Sequence, residues 1–317
     1  MTPPRVATWD ELERALTRVD LVAEMEAAFT AFSEGRAVVP PPGELLFDDP
    51  PGEVHIKSGY VRGEEFYVVK IASGFYDNPA RGLSSSDGMM VLFRQATGEP
   101  AAVLLDRGHL TDLRTAAAGA VAAKHLAPSS ARCVGVLGAG IQARLQLQLV
   151  KDVCAATEAR VWARRPEAAA ALCDLLVEDG LSATPAASPA EVADSCQLIV
   201  TTTPSTTPLL LADQVRPGTH VTAIGSDTPA KQELDAGLLA RADVICVDSR
   251  DQCRSRGEVH RAHAAGALEF DHVIELGDVI ADRAPGRTDE AQITICDLTG
   301  LGVQDVRVAA AALAALR

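Results

Sequence analysis

Positive charge is scarce in this chain: 29 lysines and arginines stand against 43 aspartates and glutamates over 317 residues, a formal net charge of −14. Such a balance argues against a phosphate backbone or an anionic membrane as partner. Cysteine is absent before Cys133, and none of the seven cysteines forms a C-x-x-C pair. A disulfide framework is therefore not expected, and the odd number fits reduced thiols in the cytoplasm. The first ten residues lack the apolar stretch of a signal peptide. The longest apolar run near the C-terminus, Val308 to Leu316, falls far short of the ~20 residues of a membrane span. There is no G-x-S-x-G elbow, no catalytic Cys–His signature, no internal repeat and no low-complexity tract. The expectation is a soluble, cytoplasmic protein with no nucleic-acid or membrane partner.

What remains is an ordinary globular composition, 47% apolar and 23% charged, on a chain long enough for two domains at ~150 residues each. Thr8-Trp-Asp-Glu11 has the form of a capping box, and the apolar spacing continues through Leu21, Met25, Ala28 and Phe32 to a stop at Gly35. Pro40-Pro-Pro42 reads as a stiff extended turn. Residues 66–71, 89–93 and 101–105 are strand-like, the last two joined by a turn over 96–100, and an alanine-rich helix runs from about Thr111 to Leu126. After Pro128-Ser-Ser130 the character changes. Short apolar runs at 133–137, 159–163, 197–203, 220–225 and 242–248 alternate with helical stretches, the rhythm of β-α-β crossovers on a parallel sheet. A strand at Ile293–Cys296 and a C-terminal helix close the chain.

Val134-Gly-Val-Leu137 leads directly into Gly138-Ala-Gly-Ile-Gln-Ala143, a G-x-G-x-x-A pattern at a strand-to-helix turn. Gly138 permits the tight turn, Gly140 lets backbone approach a pyrophosphate, and Ala143 lets helix and strand pack closely. The helix N-terminus adds free amides for phosphate oxygens. With Gln142, and with Thr203 at the end of the strand 197–203, these residues are the candidate cofactor contacts. At the end of the second strand, where NAD readers place a carboxylate, the sequence has Arg164 and Arg165. Two guanidinium groups suit a 2′-phosphate, so NADPH is expected to be preferred over NADH. Asp227 follows the strand at 220–225 and so faces the same crevice.

Thr111-Asp-Leu-Arg-Thr-Ala-Ala-Ala118, Gly138–Ala143, Ala223-Ile-Gly-Ser-Asp-Thr-Pro-Ala-Lys-Gln-Glu-Leu234 and Asp297-Leu-Thr-Gly-Leu-Gly-Val-Gln-Asp305 together resemble the ornithine cyclodeaminase/mu-crystallin family over roughly residues 10–316. Lys70-Ile-Ala-Ser-Gly-Phe-Tyr-Asp-Asn-Pro79 and the Asp297 segment resemble its ectoine-utilisation-type branch most. The resemblance implies an α/β chain. An α+β substrate-binding and dimerisation domain would span residues 1–128, completed by 297–317, with a Rossmann NAD(P)-binding domain over 129–296. It also implies a homodimer acting on a small imino or amino acid, with Lys70 and Arg114 on the substrate carboxylate and Asp227 as acid/base. Arg holds a carboxylate bidentately and Lys as a point charge, which sets Cα against the nicotinamide. Asp227 then moves a proton at the nitrogen. Equally open on the residues alone, Arg114 pairs with Asp106 or Asp112, and Lys70 snorkels from a strand edge.

Two departures bear on the substrate. Ornithine-specific members are expected to carry an acidic residue where Lys57 stands, and an arginine where Pro40-Pro-Pro-Gly43 stands. A cation at Lys57 repels a distal ammonium, so a diamino acid is disfavoured and Lys57 is a candidate second carboxylate contact. Serines 84–86, Ser85 among them, either touch substrate or cap a turn. His260 and His263, at i, i+3, lack further ligands at suitable spacing, so no metal is expected. The reading is an NAD(P)H-dependent reductase of α-imino acids or the matching amino-acid dehydrogenase. Its alternatives are a cyclodeaminase and an NADPH-binding protein of crystallin type.

Overall fold

A computed structural model describes residues 3–75 and 77–317. Tyr76 of the Lys70–Pro79 motif lies outside the described residues, as do Met1 and Thr2. In chain order the elements begin with β1 (Arg5–Thr8), α1 (Trp9–Leu16), α2 (Leu21–Ser33), β2 (Ala37–Val38), β3 (Gly43–Asp48), β4 (Pro51–Val61), β5 (Phe66–Gly74), β6 (Ser86–Arg94), β7 (Pro100–Leu105) and α3 (His109–Leu126). They continue with β8 (Cys133–Leu137), α4 (Ile141–Val153), β9 (Glu158–Trp162), α5 (Pro166–Glu178), β10 (Ser182–Pro185), α6 (Pro189–Ser195), β11 (Leu198–Thr201) and β12 (His220–Ala223). The last are α7 (Ala236–Arg241), β13 (Val244–Val247), α8 (Gly257–Ala264), β14 (Val273–Glu275), α9 (Leu276–Ile280), β15 (Thr294–Asp297) and α10 (Gly302–Ala315). The chain divides into two compact units. One comprises residues up to Arg114 with Leu301–Arg317, and the other Thr115–Gly300. The division falls inside α3 and just after Gly300, whereas the compositional change lies at Pro128–Ser130.

In the first unit a mixed sheet runs β1-β7-β6-β5-β4-β2, with β3 paired to β4. The Glu11 carboxylate reaches back to the Thr8 amide (2.9 Å), which fixes the start of α1. The apolar spacing suggests one helix to Gly35; the structure has two, because the Asp20 side chain accepts the Ala23 amide (3.0 Å) and starts α2 afresh. The strand readings at 66–71, 89–93 and 101–105 correspond to β5, β6 and β7. The sequence does not announce β3 and β4. β4 carries Glu53, His55 and Lys57 between its apolar residues, and all six residues of β3 are exposed, so neither shows a continuous apolar run. Ala28, Ala31, Val61, Leu301 and Val303 form a small core between α2, β4 and the start of α10.

The second unit holds an eight-stranded parallel sheet in the order β10-β9-β8-β11-β12-β15-β13-β14. Its first five strands are in Rossmann order, third, second, first, fourth and fifth, with the switch point between β8 and β11. Strand burial is nearly complete in β8, β11, β12 and β15, as expected of a sheet covered on both faces. The core includes Leu137, Ile199, Val221, Ile245 and Ile295 from the strands, with Leu238 and Val259 from helices. All seven cysteines are free thiols. Among the described residues no helix is long and apolar enough to cross a membrane.

Candidate active site

Two sets of buried ionisable side chains stand out, one in each unit. In the first unit, Lys70 on β5 places its Nζ 3.1 Å from Asp305 Oδ1 and 3.0 Å from Oδ2. Arg114 donates from Nε to Asp305 Oδ1 (3.1 Å) and from Nη1 to Gln304 Oε1 (2.9 Å). All four side chains are buried, with Lys70 3% and Arg114 6% exposed. Asp305 and Gln304 sit in the first turn of α10, which packs on α2 and across β4 and β5. Lys57 is the direct register partner of Lys70 across β4 and β5, and so shares its sheet face. Burial lowers the Lys70 pKa to about 8; Asp305 opposes this, while Arg114 and Lys57 reinforce it. Burial pushes the Asp305 carboxyl up, but Lys70, Arg114 and Lys57 together outweigh it and hold the group below its ordinary range. Two buried cations thus meet on the Asp305 carboxylate, and buried Asp106 also feels the Lys70 charge.

Arg114 thus meets Asp305 and Gln304. Asp106, one of the two acids near it in sequence, is buried and accepts the Leu110 amide (3.1 Å) at the start of α3. Gln304 and Asp305 belong to the Asp297–Asp305 motif, but the sequence reading gave neither a role. Their signal is the acid itself: a carboxylate among Val303, Val306 and Val308 must meet a cation or donors when its helix is buried. Ser85 is not drawn into this group. It precedes β6, whose first residue, Ser86, pairs with Gly74 and already lies four rungs from the Lys70–Met90 pair, about 13 Å at ~3.3 Å per residue.

In the second unit, the parallel sheet brings the ends of β8, β9, β11, β12 and β15 to one edge. Gly138 follows β8 with φ of +125°, a region that side chains disfavour, and any Cβ there would overlap the Thr202 hydroxyl. Gly140 caps α4 with no side-chain hydrogen bond and with open space where a Cβ would stand. The first amides of α4 therefore have no side chain at the cap, which fits a pyrophosphate. Ala143 is fully buried, and Gln142 Oε1 is within 3.4 Å of Gln146 Nε2. Arg164 and Arg165 follow β9, Arg165 as the N-cap residue of α5. Thr203 follows β11, with its amide and hydroxyl both given to Glu233 (2.6 and 2.7 Å). Asp227 lies beyond β12, half-exposed, with Lys231 Nζ 2.6 Å from Oδ1.

Next to that edge are four buried carboxyls. Glu233 is pushed up to about 7 and Glu258 to about 8, chiefly by burial, and burial with the nearby Glu258 raises Asp297 well above its usual range. Asp248, also buried, accepts from the Thr299 hydroxyl (3.1 Å) and the Gly300 amide (2.6 Å). His260 and His263 each use Nδ1 on a backbone carbonyl, of Arg254 and Leu268. Among the described residues no group of three His, Cys, Asp or Glu is arranged to hold a metal ion.

A model of the ornithine cyclodeaminase/mu-crystallin family matches residues 3–313. The chain belongs to that family. It is 45% identical to a protein of Sinorhizobium fredii named an uncharacterized cyclodeaminase, over 98% of this chain and 95% of the relative. Among solved structures, an archaeal alanine dehydrogenase dimer with bound NAD superposes with a TM-score of 0.90 at 33% identity, covering 98% of this chain and 95% of that one. The iminosuccinate reductase of Paracoccus denitrificans in complex with NAD+ gives 0.90 at 33% identity, covering 98% and 96%. Family membership and the α/β fold with its Rossmann sheet are thus those read from the motifs.

Proposed function

We propose that this family member is an NAD(P)H-dependent reductase of α-imino acids, running in reverse as an amino-acid dehydrogenase. The observation that carries the reading is the buried group of Lys70, Arg114 and Asp305, in which two cations share one carboxylate beside the further cation Lys57. Lys70 and Arg114 are the charge types that hold a substrate carboxylate, Arg bidentately and Lys as a point charge. The similarity to an iminosuccinate reductase and an alanine dehydrogenase, both solved with NAD, supports the same chemistry.

Lys70 and Arg114 would bind and orient the substrate carboxylate, with Lys57 adding positive charge on the same sheet face. Gly138, Gly140, Gln142 and Ala143 would hold the dinucleotide's pyrophosphate, Arg164 and Arg165 its adenosine end, and Thr203 the nicotinamide end. Bound there, the dinucleotide supplies the hydride for the imine carbon. Asp227 exchanges the proton at the substrate nitrogen, with Lys231 as its counter-ion in the resting state. We infer a 2′-phosphate preference from the paired guanidinium groups of Arg164 and Arg165 and the absence of a carboxylate at the end of β9. Replacing both arginines by neutral residues is expected to weaken NADPH about tenfold while leaving NADH unchanged, in titrations with each coenzyme.

A homodimer is proposed on the outer sheet face of the first unit. Leu45 and Phe47 on β3 are exposed on the face of Ile56, and exposed Ile56 and Met89 share a row through Ile71 on the face opposite Lys70. A patch of this kind calls for a covering partner. Light scattering is expected to give twice the chain mass.

The deciding experiment is a panel of cyclic and open-chain imino acids, amino acids and diamino acids with both coenzymes. Stoichiometric oxidation of NAD(P)H by an imino acid is expected. Ammonia release from a diamino acid without net change in nicotinamide absorbance would identify a cyclodeaminase instead. Coenzyme binding with no turnover would identify a binding protein. Asp227→Asn is expected to lower kcat by ~10²-fold while coenzyme affinity stays within a factor of about two.

A further inference from the structure

Glu233 is fully buried in the segment between β12 and α7, and its contacts are unusual for a carboxylate. Oε1 accepts the Thr203 amide (2.6 Å) and hydroxyl (2.7 Å); Oε2 accepts the Thr201 hydroxyl (2.7 Å) and the Gly225 amide (3.0 Å). Every one of these donors is neutral. Its own amide donates to Glu258 Oε1 (2.7 Å) and the next amide, of Leu234, to Glu258 Oε2 (3.1 Å). Its carbonyl accepts the Leu209 and Leu210 amides (2.7 and 3.1 Å). Any side chain at Gly225 would overlap both the Thr203 carbonyl and this carboxylate. A buried carboxyl held only by neutral donors has no cation to offset its desolvation, so what it contributes is the fixing of those donors rather than charge pairing. Its hydrogen bonds reach the loops after β11 and β12, which carry Thr203 and Asp227.

We propose that Glu233 is a positioning residue for the reaction, its carboxylate locking the Thr201–Thr203 and Gly225–Asp227 loops at the nicotinamide end of the dinucleotide site, with Glu258 locking Glu233 in turn. The proposal rests on the reductase reading for its catalytic consequence and on the Rossmann edge alone for its binding consequence. A carboxyl rather than an amide is required by a count of donors. Each of its oxygens takes one backbone N–H, from Thr203 on one side and Gly225 on the other, and a backbone amide cannot reverse its polarity. A glutamine, whichever way its amide is turned, sets an NH2 group against one of those two N–H groups and releases that loop. A neutral glutamic acid is tolerated better, because its proton can be given to a threonine hydroxyl that rotates to accept it. Loops that carry reacting groups need this precision: a misplacement of ~1 Å costs up to ~10²-fold in rate.

The test compares wild type with Glu233→Gln, reading melting temperature, affinities for NADH, NADPH and ADP, and kcat on the imino acid that the panel identifies. ADP lacks the nicotinamide half and so reports only the far end of the site. The expected result is a folded variant with ADP affinity within about twofold, affinity for the better-bound dinucleotide down about tenfold, and kcat down ~10²-fold. Unchanged kcat and dinucleotide affinity would overturn the proposal, and so would equal losses for ADP and dinucleotide, which mark general loosening of the unit. Should Glu233→Gln fail to fold, Thr201→Val removes one hydroxyl donor without changing shape. It is expected to give the same selective pattern at about a fivefold loss in kcat, and an ADP loss equal to the dinucleotide loss overturns the proposal there too. If wild type binds dinucleotide but reduces no imino acid, the reductase reading fails while the ratio of dinucleotide to ADP affinity still judges Glu233. If wild type binds no dinucleotide, both fail.

Discussion

The two units bury ionisable groups in opposite ways. Around Lys70, Arg114 and Asp305 the charges are of both signs, and pairing holds Asp305 ionised despite full burial. Around Glu233, Glu258, Asp297 and Asp248 the groups are all acids, held chiefly by backbone amides and hydroxyls, and burial pushes Glu233, Glu258 and Asp297 toward the protonated form. One short stretch, Asp297–Asp305, supplies both groups, Asp297 to the acids and Asp305 to the cations. The same residue type therefore ends on opposite sides of its ordinary pKa according to what surrounds it. A paired centre offers fixed charge to an anionic ligand, whereas an acid cluster on backbone donors fixes loops.

The sharpest way to break this contrast is to remove one cation. Arg114→Met leaves Asp305 with Lys70 alone and is expected to cost about 3–5 kcal/mol in urea unfolding, with the double variant Arg114→Met/Asp305→Asn recovering most of it. Without recovery, the cost is lost packing and the pairing argument falls. The pH dependence of stability comes next in size. Glu233 and Glu258, at about 7 and 8 when folded against an ordinary 4.5, hold protons that the unfolded chain has shed. Their contribution is complete below pH 4.5 and is lost as pH rises through 7 to 8, at ~1.4 kcal/mol for each pH unit between the folded and unfolded values. Lys70, at about 8 folded against 10.5, works in the other sense: the unfolded chain binds the extra proton, so stability rises with pH from about 8 to 10.5. Asp305, held below 3.8, stabilises above that value and stops doing so as pH falls beneath it. Urea midpoints are expected to decline between about pH 5 and 8; a flat profile would mean the acid cluster is solvated. The smallest effect belongs to Asp297→Asn. Asp297 Oδ2 accepts the Val259 amide (2.9 Å) and Oδ1 has no hydrogen-bond partner among the described residues, so a neutral isostere is expected to change stability by less than ~1 kcal/mol. A loss of several kcal/mol would show that Asp297 is ionised.

The Rossmann half is the more legible one. Its central strands are buried on both faces and read as apolar runs, whereas the largely exposed β10 and the short β14 do not, and Gly138 and Gly140 mark a turn that only a few residue types can make. In the first unit, β3 and β4 are hard to read because a one-sided sheet mixes Lys57 and His55 into its strands, and the break before Asp20 is hidden beneath continuous apolar spacing. The candidate residues divide in the same way. Gly138, Arg164, Thr203 and Asp227 follow from strand ends and crossover order, whereas Ser85 precedes β6, whose first residue already lies four rungs from the Lys70–Met90 pair, about 13 Å at ~3.3 Å per residue.

Local pattern by itself determined the crossover rhythm, the glycine turn, the arginine pair after the second strand and the family, because each is a statement about neighbours in sequence. Only the tertiary structure decided that Arg114 meets Asp305, 191 positions away, rather than Asp106, and that Glu233 ties together the loops after β11 and β12. Charge partners and donor counts depend on which distant segments share a low-dielectric interior, and no short stretch of chain encodes that.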